Sequence, residues 1–219
     1  MIKRFCIPAL TLALFGVVMA AGTPPSVDPS PSGGTDPGAL LGRRVADFKL
    51  PDITGREHTL SELKGRNGVV LIFISARCQV ANFYGERMEK LARDYAPHGI
   101  NTVGIDANVA ESAKEIKSYA AAYHLTFTIL KDKNYRVADL LGATRTPEAF
   151  FLDGGGRLLY YGSIDSRPYP ARASIELHNY LRDAIEATLA GRPIARPSTD
   201  AFGCTIRPRT IKLTPASVH

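Results

Sequence analysis

Cys78 has the position in this chain that most directly suggests chemistry. It follows a continuous apolar run at residues 69–75 and precedes an amphipathic segment at residues 80–95. A buried strand that ends in a cysteine at the start of a helix places the sulfur among unpaired backbone N–H groups and at the positive end of the helix dipole. Both features stabilise a thiolate. Cys78 is therefore a candidate nucleophile.

Cys204 is the candidate partner of that nucleophile. Of the three cysteines, Cys6 lies in an N-terminal segment that we expect to be removed, which leaves Cys78 and Cys204. Residues 202–206 carry apolar side chains on either side of Gly203, a pattern that suits a docked segment more than a free tail. If Cys78 attacks a disulfide or becomes a sulfenic acid, Cys204 is the internal thiol that can resolve the intermediate.

Two alternatives remain open for these thiols. The pair can form a permanent bridge, which would stabilise the fold by about 4 to 5 kcal/mol through loop entropy. Cys78 can also be an inert buried thiol. Arg77, the preceding residue, either lowers the pKa of the thiol by its charge or is simply solvated beside the helix start.

The first residues predict export. Residues 1–21 contain Lys3 and Arg4, an apolar stretch at about 7–18 and small residues before a cleavage point, which is the pattern of a secretory signal peptide. An uncleaved anchor is the alternative. We expect a secreted or periplasmic protein without a stable membrane span after cleavage, in a compartment where disulfides persist.

The rest of the chain divides into three parts. Residues 22–39 are rich in Pro, Ser and Gly and predict a disordered linker, residues 40–192 predict one folded domain, and residues 193–219 predict a C-terminal tail that carries Cys204. The net charge of +6 arises from basic residues interspersed with acids. Such mixing is typical of solvated helix faces and excludes a nucleic-acid stripe.

Strand and helix signals alternate through the predicted domain. Strands are expected at residues 45–51, 69–75, 100–106, 127–130, 148–153 and 157–162, and helices at 59–63, 80–95, 110–123, 135–141 and 174–189. Residues 154–156 are three glycines that form a hairpin turn, because neither a helix start nor a Lys-Ser/Thr pair follows to cradle a phosphate. The order predicts an α/β fold, with a central mixed sheet flanked by helices in a single domain.

These elements carry a family resemblance. The sequence at residues 45–55, followed by that at 60–65, resembles the opening segment of the redoxin branch of the thioredoxin-like superfamily. This branch includes the alkyl hydroperoxide reductase/thiol-specific antioxidant (AhpC/TSA) proteins and exported thiol-disulfide oxidoreductases. Cys78 then falls at the position of the family's attacking cysteine, and Thr146-Pro147 resembles its cis-proline loop. The resemblance implies a thioredoxin-like fold in which Thr146 and Pro147 form the substrate-binding wall opposite Cys78.

Departures from the family pattern narrow the expected activity. The chain reads Cys78-Gln79-Val80-Ala81, so the local Cys-x-x-Cys pair of thioredoxins is absent. Ser75 matches the peroxiredoxin pattern, whereas Leu71 stands where that pattern has proline, and Pro147 takes the place of its activating arginine. Disulfide exchange therefore ranks ahead of peroxide reduction.

Metal binding is the competing chemistry. Exported copper chaperones of this fold use two cysteines four residues apart, and here Asn82 takes the place of the second. The remaining histidines are scattered along the sequence at His58, His98, His124, His178 and His219. The sequence predicts no metal and no cofactor.

We therefore expect an exported thiol oxidoreductase. Cys78 and Cys204 are its expected catalytic residues, and Thr146, Pro147 and Arg77 its expected substrate-binding residues. Its partners would be extracytoplasmic protein thiols or disulfides, or a small thiol or peroxide substrate. The alternative is a non-catalytic redoxin-fold binding module in which a Cys78–Cys204 disulfide is structural.

Overall fold

The computed structural model describes residues 35–167, 169–170 and 176–206. In this part of the chain the helices are α1 Pro37–Leu40, α2 Leu60–Leu63, α3 Gln79–Tyr95, α4 Ala113–Ala122, α5 Arg136–Leu141 and α6 Tyr180–Leu189. The strands are β1 Lys49–Pro51, β2 Glu57–Thr59, β3 Gly68–Ile74, β4 Ile100–Asp106, β5 Thr128–Lys131, β6 Arg145–Thr146, β7 Glu148–Asp153, β8 Leu158–Gly162 and β9 Cys204–Thr205.

Five strands form the central sheet, in the order β5-β4-β3-β7-β8. Strands β3, β4 and β5 run parallel, while β7 pairs antiparallel with both β3 and β8. All seven residues of β3 are buried, as a central strand covered on both faces requires. The predicted α/β fold with a mixed sheet flanked by helices is confirmed.

Alternate residues of β3 build two cores. Val70, Ile72 and Ile74 pack with buried side chains of α3, α4 and α6 on one face of the sheet. Val69, Leu71 and Phe73 face the opposite side, where α2 and α5 supply the packing partners. Because β3 is fixed on both faces, the chain leaves it in a defined direction at the point where Cys78 follows.

Helix α3 forms where the apolar spacing predicted it. Its stripe of Tyr84, Met88, Leu91 and Tyr95 is buried against the sheet. A short 3₁₀ turn follows, and the chain then reverses at Gly99, whose φ of 72° lies in the left-handed region that glycine accepts without strain.

The main differences between the predicted and the observed elements lie at helices α4 and α6 and at the strands β1 and β2. Helix α4 begins at Ala113 rather than at residue 110, because Ser112 and Glu115 form a capping box there. Helix α6 begins at Tyr180 rather than near residue 174, since residues 176–179 are not helical and residues 171–175 lie outside the described part. The strand expected at residues 45–51 is confined to β1, Lys49–Pro51, and β2 pairs antiparallel with it, so residues 49–59 form a hairpin that the sequence did not predict.

The linker prediction is wrong at its C-terminal end. The Thr35 N–H donates to the Asp139 carbonyl at 3.0 Å, and the Asp36 side chain caps helix α1, so residues 35–39 are ordered against the domain. The predicted signal peptide, the rest of the linker and residues 207–219 of the tail lie outside the described residues. None of the described helices combines the length and apolar character that a membrane crossing requires.

Candidate active site

Cys78 lies at the junction of β3 and α3, where it is the N-cap residue of the helix. Its sulfur accepts a hydrogen bond from the Ala81 N–H at 3.4 Å. Across the site, the Sγ–H donates to the Thr146 carbonyl at 3.1 Å. Only 1% of the residue is exposed. The thiol therefore meets the helix start on one side and strand β6 on the other.

Cys204 reaches this site through a two-residue strand. Strand β9 pairs antiparallel with β6, with Cys204 opposite Thr146 and Thr205 opposite Arg145. The Cys204 sulfur interacts with the Cys78 sulfur and with the N–H groups of Gln79 and Val80 at the start of α3. Both cysteines are free thiols in this structure. The fold thus brings together two thiols that are far apart in the sequence.

The two thiols have opposite acidities. Burial by itself raises the pKa of Cys78, but hydrogen bonds from Cys204, Thr146 and the Ala81 N–H outweigh it and leave that pKa below its usual value. Burial and the neighbouring Cys78 raise the pKa of Cys204 to about 11. Cys78 is therefore the more acidic thiol of the pair, and Cys204 is the less acidic one.

The cis Thr146-Pro147 bond lies directly after strand β6, where the family resemblance places it. Two contacts hold the C-terminal segment to this strand. The Arg145 guanidinium donates to Thr205 Oγ1 at 3.0 Å, and the Ile206 N–H donates to the Thr144 carbonyl at 3.0 Å. The predicted wall opposite Cys78 is thus covered by the chain's own residues 203–206.

Arg77 is turned toward helix α4. Its guanidinium lies 2.6 Å from the Glu115 carboxylate and 3.1 Å from the Ala110 carbonyl. The side chain is more than half exposed and borders the cavity at Cys78. The hydrogen bonds that lower the pKa of Cys78 come instead from Cys204, Thr146 and Ala81.

Glu111 holds the loop that leads into Cys78. Its buried carboxylate accepts hydrogen bonds from the Ser75 hydroxyl, the Ala76 N–H at 2.7 Å and the Arg77 N–H at 3.2 Å. The Asn108 side-chain amide donates to the same carboxylate at 2.8 Å. Four donors from two loops therefore converge on one side chain, and the loop before the nucleophile is fixed.

A buried ion pair stabilises the loop that carries Asn108 and Glu111. Lys131 Nζ lies 2.7 Å from the Asp106 carboxylate and donates to the Asn108 carbonyl at 2.6 Å. Burial raises the pKa of Asp106 to about 6, although Lys131 opposes the shift. The pair anchors the loop that supplies Asn108 and Glu111.

Sequence reasoning missed Glu111 and Asn108. The predicted helix began at residue 110, which would have left Glu111 on a solvated first turn. A usable signal was present, because residues 107–112 follow β4, the parallel neighbour of β3. The carboxyl ends of neighbouring parallel strands lie at one edge of the sheet, beside Cys78.

A small cavity opens beside the two thiols. Its volume is about 130 Å³, and it is lined by Ser75, Arg77, Cys78, Asn108, Thr146, Cys204, Thr205 and Ile206. Over the described ranges, no cluster of three or more His, Cys, Asp or Glu side chains is arranged to hold a metal ion. The nucleophilic thiols that line the cavity are those of Cys78 and Cys204.

Comparisons with known proteins identify relatives of this chain. The chain is 30% identical over 118 residues to the thiol-disulfide oxidoreductase ResA of Geobacillus thermodenitrificans, covering 54% of this chain and 66% of that protein. It is 33% identical over 120 residues to the thioredoxin-like protein YneN of Bacillus subtilis, covering 54% and 69%. The chain thus spans about two thirds of the length of these relatives.

The chain is also similar to a solved structure. The crystal structure of a hypothetical protein from Sinorhizobium meliloti has a TM-score of 0.69 and 34% sequence identity, and covers 76% of this chain and 93% of that one. The family model described as "AhpC/TSA family" matches residues 41–161, which is more than half of the chain and includes Cys78 and Pro147. The chain therefore belongs to the AhpC/TSA family, the redoxin branch of the thioredoxin-like superfamily.

Proposed function

We propose that this protein is a two-cysteine thiol oxidoreductase. Cys78 is the attacking thiolate and Cys204 the resolving thiol. The observation that carries the proposal is the pairing of β9 with β6, which brings Cys204 to the cavity that Cys78 also lines. The opposite pKa shifts of the two thiols fit these roles, because the thiolate attacks first and the thiol reacts second.

The reaction is a two-step oxidation of the thiol pair. In disulfide exchange, the Cys78 thiolate attacks one sulfur of the substrate disulfide, and the other sulfur leaves as a thiolate. Cys204 then loses its proton and attacks Cys78 Sγ, which releases the second substrate thiol and forms the Cys78–Cys204 disulfide. An external thiol reductant returns the pair to two thiols and is itself oxidised to a disulfide.

Peroxide reduction uses the same pair. The thiolate attacks the O–O bond, an alcohol or water leaves, and the resulting sulfenic acid condenses with Cys204 to the same disulfide with loss of water. Exchange remains the first choice, because the relatives named thiol-disulfide oxidoreductases support it and because Leu71 and Pro147 replace the proline and the activating arginine of the peroxiredoxin pattern.

Three further residues are proposed to contact the substrate. Thr146 and Pro147 form the wall across from the thiolate, and Thr146 already exchanges hydrogen bonds with both cysteines. Arg77 borders the cavity from the solvent side, where its guanidinium can meet a substrate carboxylate in exchange for Glu115. Its proposed role is binding, not acidification of Cys78.

Export is part of the proposal and rests on the signal pattern of residues 1–21. An extracytoplasmic location suits a protein whose working state contains a disulfide. Intact mass of the protein recovered from a periplasmic or culture fraction tests this directly. A mass that still includes residues 1–21 would contradict cleavage.

A non-catalytic binding module with a structural bridge is the second candidate. One observation favours it, namely that Cys78 is only 1% exposed beneath the docked C-terminal segment. A structural bridge resists reductant until the protein unfolds, whereas a redox-active pair opens in the native state. Ellman titration of the oxidised protein under mild reductant, with and without denaturant, separates the two.

The decisive assay compares three proteins. Disulfide reduction and peroxide consumption are measured for the parent, Cys78→Ser and Cys204→Ser proteins with an excess of dithiothreitol. We expect turnover in the parent, none in Cys78→Ser and slower turnover in Cys204→Ser, where dithiothreitol must resolve the intermediate in place of Cys204. Equal rates in all three proteins would refute the enzymatic function.

A further inference from the structure

We propose that residues 202–206, here called the docked segment, restrict Cys78 to low-molecular-weight oxidants. Small disulfides and hydroperoxides reach the thiolate, whereas a disulfide within a polypeptide does not until the segment leaves. The inference rests on the proposed function and adds its substrate class. It follows from three features of the site, namely the occupied edge of β6, the close fit of the segment and the size of the remaining opening.

The edge of β6 is already occupied. An extended polypeptide binds a fold of this kind by adding a strand to a free edge. At β6, whose Thr146 carbonyl contacts Cys78, that place is taken by β9, with Cys204 opposite Thr146. A polypeptide that approached Cys78 along Thr146 would have to lie where residues 203–205 now lie.

The docked segment packs tightly against β6 at Gly203 and against the core at Ile206. Gly203 has a φ of +154°, and a Cβ at this position would lie 2.0 Å from the Thr146 carbonyl oxygen. At the end of the segment, Ile206 is only 7% exposed and packs into the core. A glycine and a buried anchor thus hold the segment against β6, and nothing can be inserted between the two strands.

The remaining opening is small. The cavity of about 130 Å³ beside Cys78 is lined by Ser75, Asn108 and Thr205 among others. Water occupies about 30 Å³ per molecule in the liquid, so the cavity has room for roughly four water volumes. That space accepts a hydroperoxide or one end of a small disulfide, and excludes the backbone on both sides of a protein disulfide.

Both kinds of small oxidant complete the thiol chemistry proposed above. A small disulfide is reduced to two thiols, and a hydroperoxide to an alcohol and water, while Cys78 and Cys204 lose two electrons and two protons together. Only the first bond, to Cys78, has to form inside the cavity. The second forms within the protein, where Cys204 is already in place.

The test loosens the docked segment without changing either cysteine. Gly203→Ala places a methyl group against Thr146, and Gly191→Ala is the matched control, because its Cβ would have nothing within 4 Å. Arg145→Ala is a second loosening variant that removes the contact to Thr205. Thermal denaturation of each full-length variant checks that it is folded.

Three oxidants are compared by quenched-flow thiol counting of the reduced proteins, namely hydrogen peroxide, oxidised glutathione and insulin. We expect the parent and Gly191→Ala proteins to react with both small oxidants and only slowly with insulin. We expect Gly203→Ala and Arg145→Ala to react with insulin about 10- to 100-fold faster, since the competent open state is a minor population in the parent. Rates with the small oxidants should stay within about threefold.

Three results would overturn the proposal, and they distinguish its failure from the failure of the proposed function. If the parent oxidises as fast with insulin as with oxidised glutathione, or if loosening leaves the insulin rate unchanged, the docked segment does not select substrates although the thiols are active. If the parent reacts with none of the three oxidants, Cys78 is inert, and the proposed function fails together with this inference.

Discussion

The two sulfur atoms of the site are held by very different parts of the molecule. Cys78 follows a seven-residue strand that is buried throughout and begins a 17-residue helix. Cys204 lies in a two-residue strand whose residues are exposed. Local stability is not uniform in a fold, and segments with few buried contacts open first. The comparison suggests a fixed nucleophile served by a partner that can withdraw, which is what a cycle of bond formation and reduction requires.

The largest effect should come from the fixed side of the site, which is Cys78 between β3 and α3. Cys78→Ser removes the thiolate, so turnover with any disulfide or peroxide should fall to the uncatalysed rate. Since a hydroxyl can still cap α3, the fold should be retained. Steady-state assays with a circular-dichroism control measure both, and residual turnover in a folded variant would assign the nucleophile elsewhere.

The next largest effect should come from the movable side of the site, which is Cys204 in β9. Cys204→Ser should still complete one attack by Cys78 but lose about tenfold or more in steady-state rate, because an external thiol must replace one held in place. Mass spectrometry after a single turnover should find a mixed disulfide or a sulfenic acid on Cys78. An unchanged steady-state rate would show that Cys204 takes no part in resolution.

A substitution of Glu111 tests how much the hydrogen bonds to its carboxylate stabilise the loop before Cys78. Glu111→Gln puts an amide group where four donors converge, so we expect a loss of about 2 to 4 kcal/mol in the free energy of unfolding and slower alkylation of Cys78. Glu86→Gln is the control, because it makes the same change at an exposed glutamate of α3. Urea denaturation of both variants should separate them, and equal losses would contradict the special role of Glu111.

The pH dependence of Cys78 alkylation tests how Cys204 influences the pKa of Cys78. The thiolate is the reactive form, so alkylation rises with pH and is half-maximal at the pKa. Because the neighbouring Cys204 lowers the pKa of Cys78, Cys204→Ala should raise that pKa and move the profile to higher pH. Cys204→Ser retains a donor and should shift it less. A profile that moves to lower pH in Cys204→Ala would reverse the assigned roles.

Arg77 should give the smallest effect. Its guanidinium is paired with Glu115, so Arg77→Ala should leave the pH profile of Cys78 unchanged and raise KM for an anionic disulfide by about threefold. Kinetics with oxidised glutathione and with an uncharged disulfide separate these effects. A shift of the pH profile would instead show that the charge acts on the thiolate.

The fixed side was also the part that could be predicted from the sequence. The apolar run of β3, the stripe of α3 and the cysteine between them are local patterns, and they identified the fold and the position of Cys78. The family pattern similarly located Thr146 and Pro147. Local periodicity suffices where strands and helices are long and packed on a core.

The movable side was predicted only in outline. A glycine between apolar residues suggested that the segment around Cys204 docks, but the register that sets Cys204 opposite Thr146 depends on tertiary contacts from Arg145 and Ile206. Glu111 was missed for a related reason. Its burial follows from a helix start three residues later than the pattern indicated, a boundary set by the Ser112 capping box.

The central claim is that Cys78 and Cys204 work as one redox pair. In its most direct test, a single equivalent of oxidised glutathione is added to the reduced native protein. One sample is then alkylated at once and a second after treatment with dithiothreitol under native conditions, and the peptides of both are mapped under non-reducing conditions. We predict a linked peptide pair containing Cys78 and Cys204 that forms with the loss of two hydrogen atoms and opens again without denaturant. Two thiols that remain free, or a link that opens only on unfolding, would contradict the account.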